Sequence, residues 1–269
     1  MNTLRIGFFS NAFRQFTLEY AVDALSGMGY MGLELWCKGQ HVTPYDNQDR
    51  IAYVKGLVSS NNMEVYALSA HLDFITDNND LRRENIKVFK KVIDLGVKFG
   101  VKKVLTASGY LNGKEPDRGM EERFVDSMKE LGGYARGRGM IIALEAEPEK
   151  LMRDPVQTVE FIDEIGIPVF KTVCDLSHAI ALDMTPQEFI TPMQDYLCHV
   201  HLDDGAYDLH PHKHLIPGEG DVNYREVFEF LEDIKYDDWI SVELNQHIEY
   251  PKLAAAKAMD FLKSEGLVE

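Results

Sequence analysis

The run Cys198-His199-Val200-His201-Leu202-Asp203-Asp204 places two imidazoles and two carboxylates on one short apolar stretch. Alternation along a strand puts His199 and His201 on one face and Val200 and Leu202 on the other. Imidazoles and carboxylates at a strand's end can ligate a metal or exchange protons. Three further apolar runs end the same way: 141–144 leads into Glu145, 171–174 into Asp175, and 239–242 into Glu243. Four strands that each end in a ligand type point to one shared site at one end of one sheet. Glu145, Asp175, His201 and Glu243 are a donor set of three carboxylates and one imidazole. That set suits a divalent ion such as Mn, Mg, Co or Zn. Converging acids repel one another, and a cation would stabilise them.

The elements that must position these groups follow a regular rhythm. Short apolar runs at 5–9, 32–36, 64–69, 103–106, 141–144, 170–174, 198–201 and 239–242 read as eight strands. Between and after them lie helical stretches. Thr17 caps one that runs to Met28, and another covers 48–60. Asn79 or Asp80 caps a long one that ends at Gly100, and a fourth covers 116–138. Asp154-Pro155 opens a fifth, with proline at the first helical position. Thr185-Pro186 opens a sixth, and 224–234 and 251–263 complete the set. Eight strands alternating with eight helices argue for parallel βαβ units. In 269 residues the expected architecture is a single-domain (β/α)8 TIM barrel over 1–269. An open doubly wound sheet is the structural alternative. It would usually carry a glycine-rich fingerprint after the first strand, and Gly7-Phe8-Phe9-Ser10-Asn11 is not one.

Composition narrows the function classes. The chain carries 28 basic and 44 acidic residues, a net charge of −16, with no basic cluster. A nucleic-acid partner is therefore not expected. No apolar run approaches the ~20 residues that cross a bilayer, so no membrane partner is expected either. Cys37, Cys174 and Cys198 are odd in number and show no CxxC spacing. They read as reduced thiols in a cytoplasmic protein.

The order Leu144-Glu145, Cys174-Asp175-Leu176-Ser177-His178, His199-Val200-His201-Leu202-Asp203-Asp204, Pro217-Gly218-Glu219-Gly220-Asp221 and Val242-Glu243-Leu244 resembles the sugar phosphate isomerase/epimerase superfamily. That superfamily includes ketose 3-epimerases, hydroxypyruvate isomerase, inosose dehydratase and endonuclease IV. The likeness covers the chain as a barrel, with its specific motifs between Leu144 and Leu244. It implies that Glu145, Asp175, His201 and Glu243 hold one divalent metal. It further implies that Glu145 and Glu243 form the acid–base pair and that His178 faces substrate. The implied reaction is isomerisation or epimerisation of a small sugar or polyhydroxy carbonyl compound through an enediolate. His71, after the third strand, is expected to hydrogen-bond substrate. Trp36, with Phe13, Phe74 and Tyr110, is a candidate apolar wall. The glycines of 216–221 are expected to serve a tight turn held by Glu219.

Two departures from the family pattern bear on the assignment. His212-x-His214 stands where endonuclease IV has an acid-x-His pair; it reads as a solvated histidine-rich loop or a set of substrate contacts, and with His178 it is also a candidate second site, for zinc. No histidine follows the fourth strand, where Thr106-Ala107-Ser108-Gly109 stands instead, so the full endonuclease cluster is broken. Tyr207 occupies the position at which ketose 3-epimerases usually carry arginine. A dehydratase of the inosose or 3-dehydroshikimate type starts with the same enolisation and is the alternative; an endonuclease IV-like phosphodiesterase is disfavoured. Tyr224, Phe228 and Leu231 form a candidate homo-oligomer face or, equally, pack into the core. Arg14, Lys38, Lys171, Lys213 and Arg225 are candidate phosphate contacts.

Overall fold

The structure, a computed structural model, describes residues 4–268. Eight strands pair in parallel and close on themselves in sequence order: β1 (Arg5–Phe9), β2 (Gly32–Trp36), β3 (Glu64–Ser69), β4 (Lys103–Thr106), β5 (Ile141–Glu145), β6 (Phe170–Asp175), β7 (Leu197–Leu202) and β8 (Trp239–Val242). The closing pair sets Arg5 opposite Trp239 and Phe8 opposite Val242. Closure rules out the open doubly wound sheet.

Among the described residues nine α-helices surround the barrel: α1 (Leu18–Ser26), α2 (Gln48–Ser60), α3 (Asn79–Phe99), α4 (Arg118–Arg136), α5 (Pro155–Ile165), α6 (Leu176–Ala181), α7 (Pro186–Ile190), α8 (Tyr224–Asp233) and α9 (Pro251–Ser264). Side-chain caps fix most starts: Thr17, Asn47, Asp117, Asp154 and Asn223 each accept a backbone N–H. Such a cap contributes about 1 kcal/mol. Two starts differ from expectation. Asn78, not Asn79 or Asp80, caps α3, because its Oδ1 reaches the N–H groups of both Asp80 and Leu81. The β6–β7 crossover holds two helices rather than one, and the extra one, α6, begins on Asp175 itself.

The strands are buried on both faces, which is why they read as nearly continuous apolar runs. Val104, Ile142, Leu144, Cys174, Val200, Leu202, Ile240 and Val242 join the large cluster beneath the helices. A smaller cluster, including Tyr66, Leu105, Ala143, Val173 and Trp239, packs separately. Tyr66 and Trp239 stack at 4.2 Å between ring centroids, and the Tyr66 hydroxyl donates to Ser241 Oγ at 2.8 Å. A Cβ on Gly7 would strike the Tyr66 ring, so only glycine lets the ring lie there. The buried Lys103 ammonium pairs with Asp238 at 2.8 Å and donates to the Cys198 carbonyl at 2.5 Å. These groups fill the N-terminal end of the barrel and leave chemistry to the other end.

Tyr224, Phe228 and Leu231 turn inward and are buried, so this face of α8 belongs to the core and offers no oligomer contact. Phe13 and Phe74 are likewise fully buried; they pack the core and do not wall the cavity. No helix among the described residues is long and apolar enough to cross a membrane. The three cysteines are free and buried.

Candidate active site

Glu145 ends β5, Asp175 ends β6, His201 lies on β7, and Glu243 follows β8. Parallel register sets Asp175 opposite His201 and His201 opposite Ser241, so the acids arrive at one level of the barrel's C-terminal end. One potential ligand atom from each of the four residues lies within 4.8 Å of all the others. His201 Nδ1 is 2.8 Å from Glu243 Oε2, 3.2 Å from Glu145 Oε1 and 4.0 Å from Asp175 Oδ2. All four side chains are buried.

Electrostatics at this cluster set burial against charge. Burial pushes the Glu145 carboxyl up, but His201, His71 and His178 outweigh it and hold the group well below the usual carboxylate range. Asp175 is also lowered: burial acts upward, and His178 and His214 overcome it. Burial pushes His201 down, while Glu34, Glu243 and Glu145 raise it well above its ordinary value. Buried polar atoms are normally paired, yet Glu145 Oε2 and Asp175 Oδ2 have no hydrogen-bond partner. Two unpaired oxygens among three converging carboxylates and an imidazole fit a divalent cation, which would satisfy both.

Above the cluster opens a cavity of about 790 Å³, lined by Phe9, Trp36, His71, Tyr110, His178 and His214 beside Glu145 and Glu243. Trp36 and Tyr110 of the expected walls are there, and Phe9 takes the place assigned to Phe13. His71 lies edge-on to Trp36, with ring centroids 5.7 Å apart, and its Nε2 is 3.3 Å from Glu145 Oε2. The buried Lys150 ammonium, paired with Glu147, lies 3.4 Å from His71 Nδ1. An ammonium only donates, so Nδ1 accepts and Nε2 carries the proton. Burial first, and Lys150 second, push the His71 pKa down. His71 is thus a neutral N–H donor aimed beside Glu145. Of the candidate phosphate contacts, Arg14 and Lys38 also line the cavity. Arg225 pairs instead with Glu265, and Lys171 donates to the Asp195 carbonyl.

The three histidines of the proposed second site do come together. Centroid separations are 5.3 Å for His178–His212, 5.5 Å for His178–His214 and 5.7 Å for His212–His214. Two of them are anchored from behind. His178 Nδ1 donates to the Ala146 carbonyl at 2.9 Å, and His214 Nδ1 meets Asp203 Oδ2 at 2.5 Å. Burial pushes His214 down, but Asp203 and Asp175 outweigh it and hold it well above its ordinary value.

The loop that carries this pair is held by Asp204, not by Glu219. The Asp204 carboxylate accepts the N–H groups of Gly205 (2.9 Å), Gly218 (2.9 Å), Gly220 (3.0 Å) and Val222 (3.1 Å). Glu219 reaches outward to Lys257 at 3.2 Å. A Cβ on Gly220 would collide with the Gly205 carbonyl and with Asp204. Gly220→Ala is therefore expected to cost about 1–3 kcal/mol. At roughly 2–4 °C per kcal/mol for a chain of this size, thermal denaturation should show a fall of several degrees.

Glu34, Glu147, Lys150 and Phe9, which sequence reasoning did not place in the site, belong to it, and Asp203, noted only as one of two acids ending the β7 run, anchors His214 there. Glu34 left a trace, being an acid within the apolar run Gly32-Leu33-Glu34-Leu35-Trp36. Lys150 left none, because a lysine in a polar loop reads as solvated.

A closed parallel barrel with carboxylates and imidazoles converging at the C-terminal ends of its strands, beneath a cavity, defines the class: an α/β-barrel enzyme with a candidate metal site. The chain belongs to the xylose isomerase-like TIM barrel family, whose model matches residues 22–265. It is 24% identical to fructoselysine 3-epimerase of Shigella flexneri over 96% of each chain. Its fold matches a D-psicose 3-epimerase from Clostridium cellulolyticum H10, solved with D-tagatose, at a TM-score of 0.82 (18% identity; 98% of this chain and 99% of that one). It also matches the IOLI protein, solved with a bound zinc atom, at a TM-score of 0.80 (22% identity; 98% of this chain and 97% of that one).

Proposed function

We propose that the chain is a divalent-metal-dependent isomerase or epimerase of a small sugar or polyhydroxy carbonyl compound. The observation that carries this reading is the four-residue cluster with its two unpaired, buried carboxylate oxygens beneath an open cavity. Glu145, Asp175, His201 and Glu243 would hold the ion. When bound, a divalent ion lowers the cost of removing a proton next to a carbonyl.

The protein's own groups do the rest. Glu145 and Glu243 stand on β5 and beyond β8, three strand steps apart around the barrel, so they reach a substrate from different sides. One glutamate takes the proton from the carbon beside the carbonyl. For epimerisation the other returns a proton to the opposite face; for isomerisation a proton returns to the neighbouring carbon. His71 offers its Nε2 proton to a substrate oxygen near Glu145, and His178 faces the same space. Trp36 and Phe9 wall off water on the apolar side of a sugar. The fructoselysine and psicose epimerases among the relatives support substrates of the ketose class. The thiols, all unpaired, fit a cytoplasmic setting.

Incubation with a panel of ketoses and cyclitols in D2O tests the reaction. Deuterium at the carbon next to the carbonyl, in an isomeric product of unchanged composition, is expected. A product lighter by one water would instead assign a dehydratase.

The second site, His178, His212 and His214, suits zinc, since three imidazoles with two anchored rings form a preorganised donor set. The double variant His212→Ala/His214→Ala is expected to lose one ion per chain while keeping the other. Equal metal content in wild type and variant would remove the second site.

A further inference from the structure

We propose that Glu34, on β2, is the positioning residue of the metal-facing histidine. In this arrangement its carboxylate holds His201 so that Nδ1 points to the ion, and His199 is the second donor that holds the carboxylate in place. The inference rests on the metal-dependent reading above.

The geometry is direct. Glu34, His199 and His201 are fully buried. Glu34 Oε2 lies 3.0 Å from His201 Nε2 and 2.9 Å from His199 Nε2. An ionised carboxylate only accepts, so both Nε2 atoms carry protons. With Nε2 committed to Glu34, Nδ1 is the nitrogen left to bind an ion in exchange for its own proton, and it is the atom that faces Glu243, Glu145 and Asp175. Phe9 lies parallel to the His201 ring, with centroids 5.7 Å apart and 5° between planes. Ligating histidines elsewhere commonly donate their second N–H to a carboxylate, which fixes tautomer and orientation.

His199 does not reach the cavity, and its Nδ1 is buried without a partner. Its hydrogen bond to Glu34 is what it contributes. The same three residues bring one potential ligand atom each within 4.8 Å of one another, the spacing of a site for an ion of their own. That would require His201 Nε2 to lose its proton, and His201 would then bridge two ions.

Glu34→Gln tests the assignment without changing the shape. An amide offers one acceptor oxygen, while its nitrogen only donates. In wild type Oε2 accepts from both histidines and Oε1 has no partner. An amide with its oxygen at the Oε2 position loses the charge and leaves its NH2 buried without an acceptor, and one turned the other way sets NH2 against both N–H groups. If the NH2 meets His201 Nε2, the ring must move its proton to Nδ1, and the lone pair leaves the metal site. Co2+ is titrated into metal-free wild type, Glu34→Gln, Glu34→Asp and His199→Phe, and followed by visible absorption and calorimetry. Thermal denaturation of the metal-free forms monitors folding.

Glu34→Gln is expected to bind one Co2+ about 10–100-fold more weakly, with a changed absorption band. Glu34→Asp, which keeps the charge but withdraws it by one methylene, should also weaken binding and serves if the amide variant does not fold. His199→Phe should weaken it less, because the Glu34–His201 bond survives. Affinity within about threefold of wild type in a folded Glu34→Gln would overturn the proposal, as would loss of a whole ion with the remaining one unaltered. Failure of wild type to bind Co2+ at all would overturn the metal-dependent reading as well.

Discussion

Glu243→Gln and Glu145→Gln are each expected to lower the rate of substrate interconversion by about 10²–10⁴-fold at saturating metal, the range of a lost general acid–base group. Glutamine keeps the volume of glutamate, and an amide oxygen can still coordinate. Part of any loss through weaker metal binding should therefore return with excess ion, whereas the loss of the proton acceptor should not. The two variants differ in a further way if the pair works from opposite faces. Each single variant keeps one base, so it should still exchange deuterium into one epimer while failing to convert it into the other. Wild type should label both. Interconversion within tenfold of wild type in either variant, measured at saturating metal, would mean that the acid–base pair lies elsewhere.

Removal of metal by a chelator is the second large effect. It is expected to abolish turnover and to lower the melting temperature together. Without a cation, Glu145 and Glu243 share a buried space with His201 as their nearest imidazole, Asp175 has His214 at 3.6 Å, and Glu145 Oε2 and Asp175 Oδ2 are unpaired. A site filled at 100 times its Kd stabilises a fold by about 2.7 kcal/mol. At roughly 2–4 °C per kcal/mol that is a fall of about 5–10 °C on stripping the metal. Refilling with Mn2+, Co2+, Mg2+ or Zn2+ in turn would rank the ions by recovery of melting temperature and of rate. An unchanged melting temperature after verified removal of the ion would speak against a metal held by these four residues.

Much of the barrel was readable along the chain. β1 to β4 fall on the runs expected of them, and β5 and β6 each extend one residue further to include their terminal acid. This legibility has a local cause, since a strand buried on both faces must be apolar throughout and its ends are marked by the first polar groups. Glu145, Asp175, His201 and Glu243 stood out for the same reason. Short elements were harder to read. α6 has six residues and follows β6 without a loop, so its capping residue is also a site residue. Aromatic side chains misled as well: Phe13 and Phe74 sit next to the rim in sequence, but their rings turn into the core.

The types of the four candidate residues and their level in the barrel were thus determined by sequence alone, because both depend on the polarity of neighbouring residues. The partners of those residues were decided by the tertiary structure. Glu34 lies 165 and 167 residues from the histidines it holds, and it meets them only because β2 and β7 face a common interior once the barrel closes. Asp203 reads as one of two acids after a strand, yet it turns to His214 while Asp204 turns to the glycine loop. Lys150, in a loop after β5, becomes the buried charge that sets the proton on His71. Local pattern reports which side chains must leave water. Which buried donor meets which buried acceptor is a property of closure, which brings distant segments together in a space where unpaired polar groups are costly.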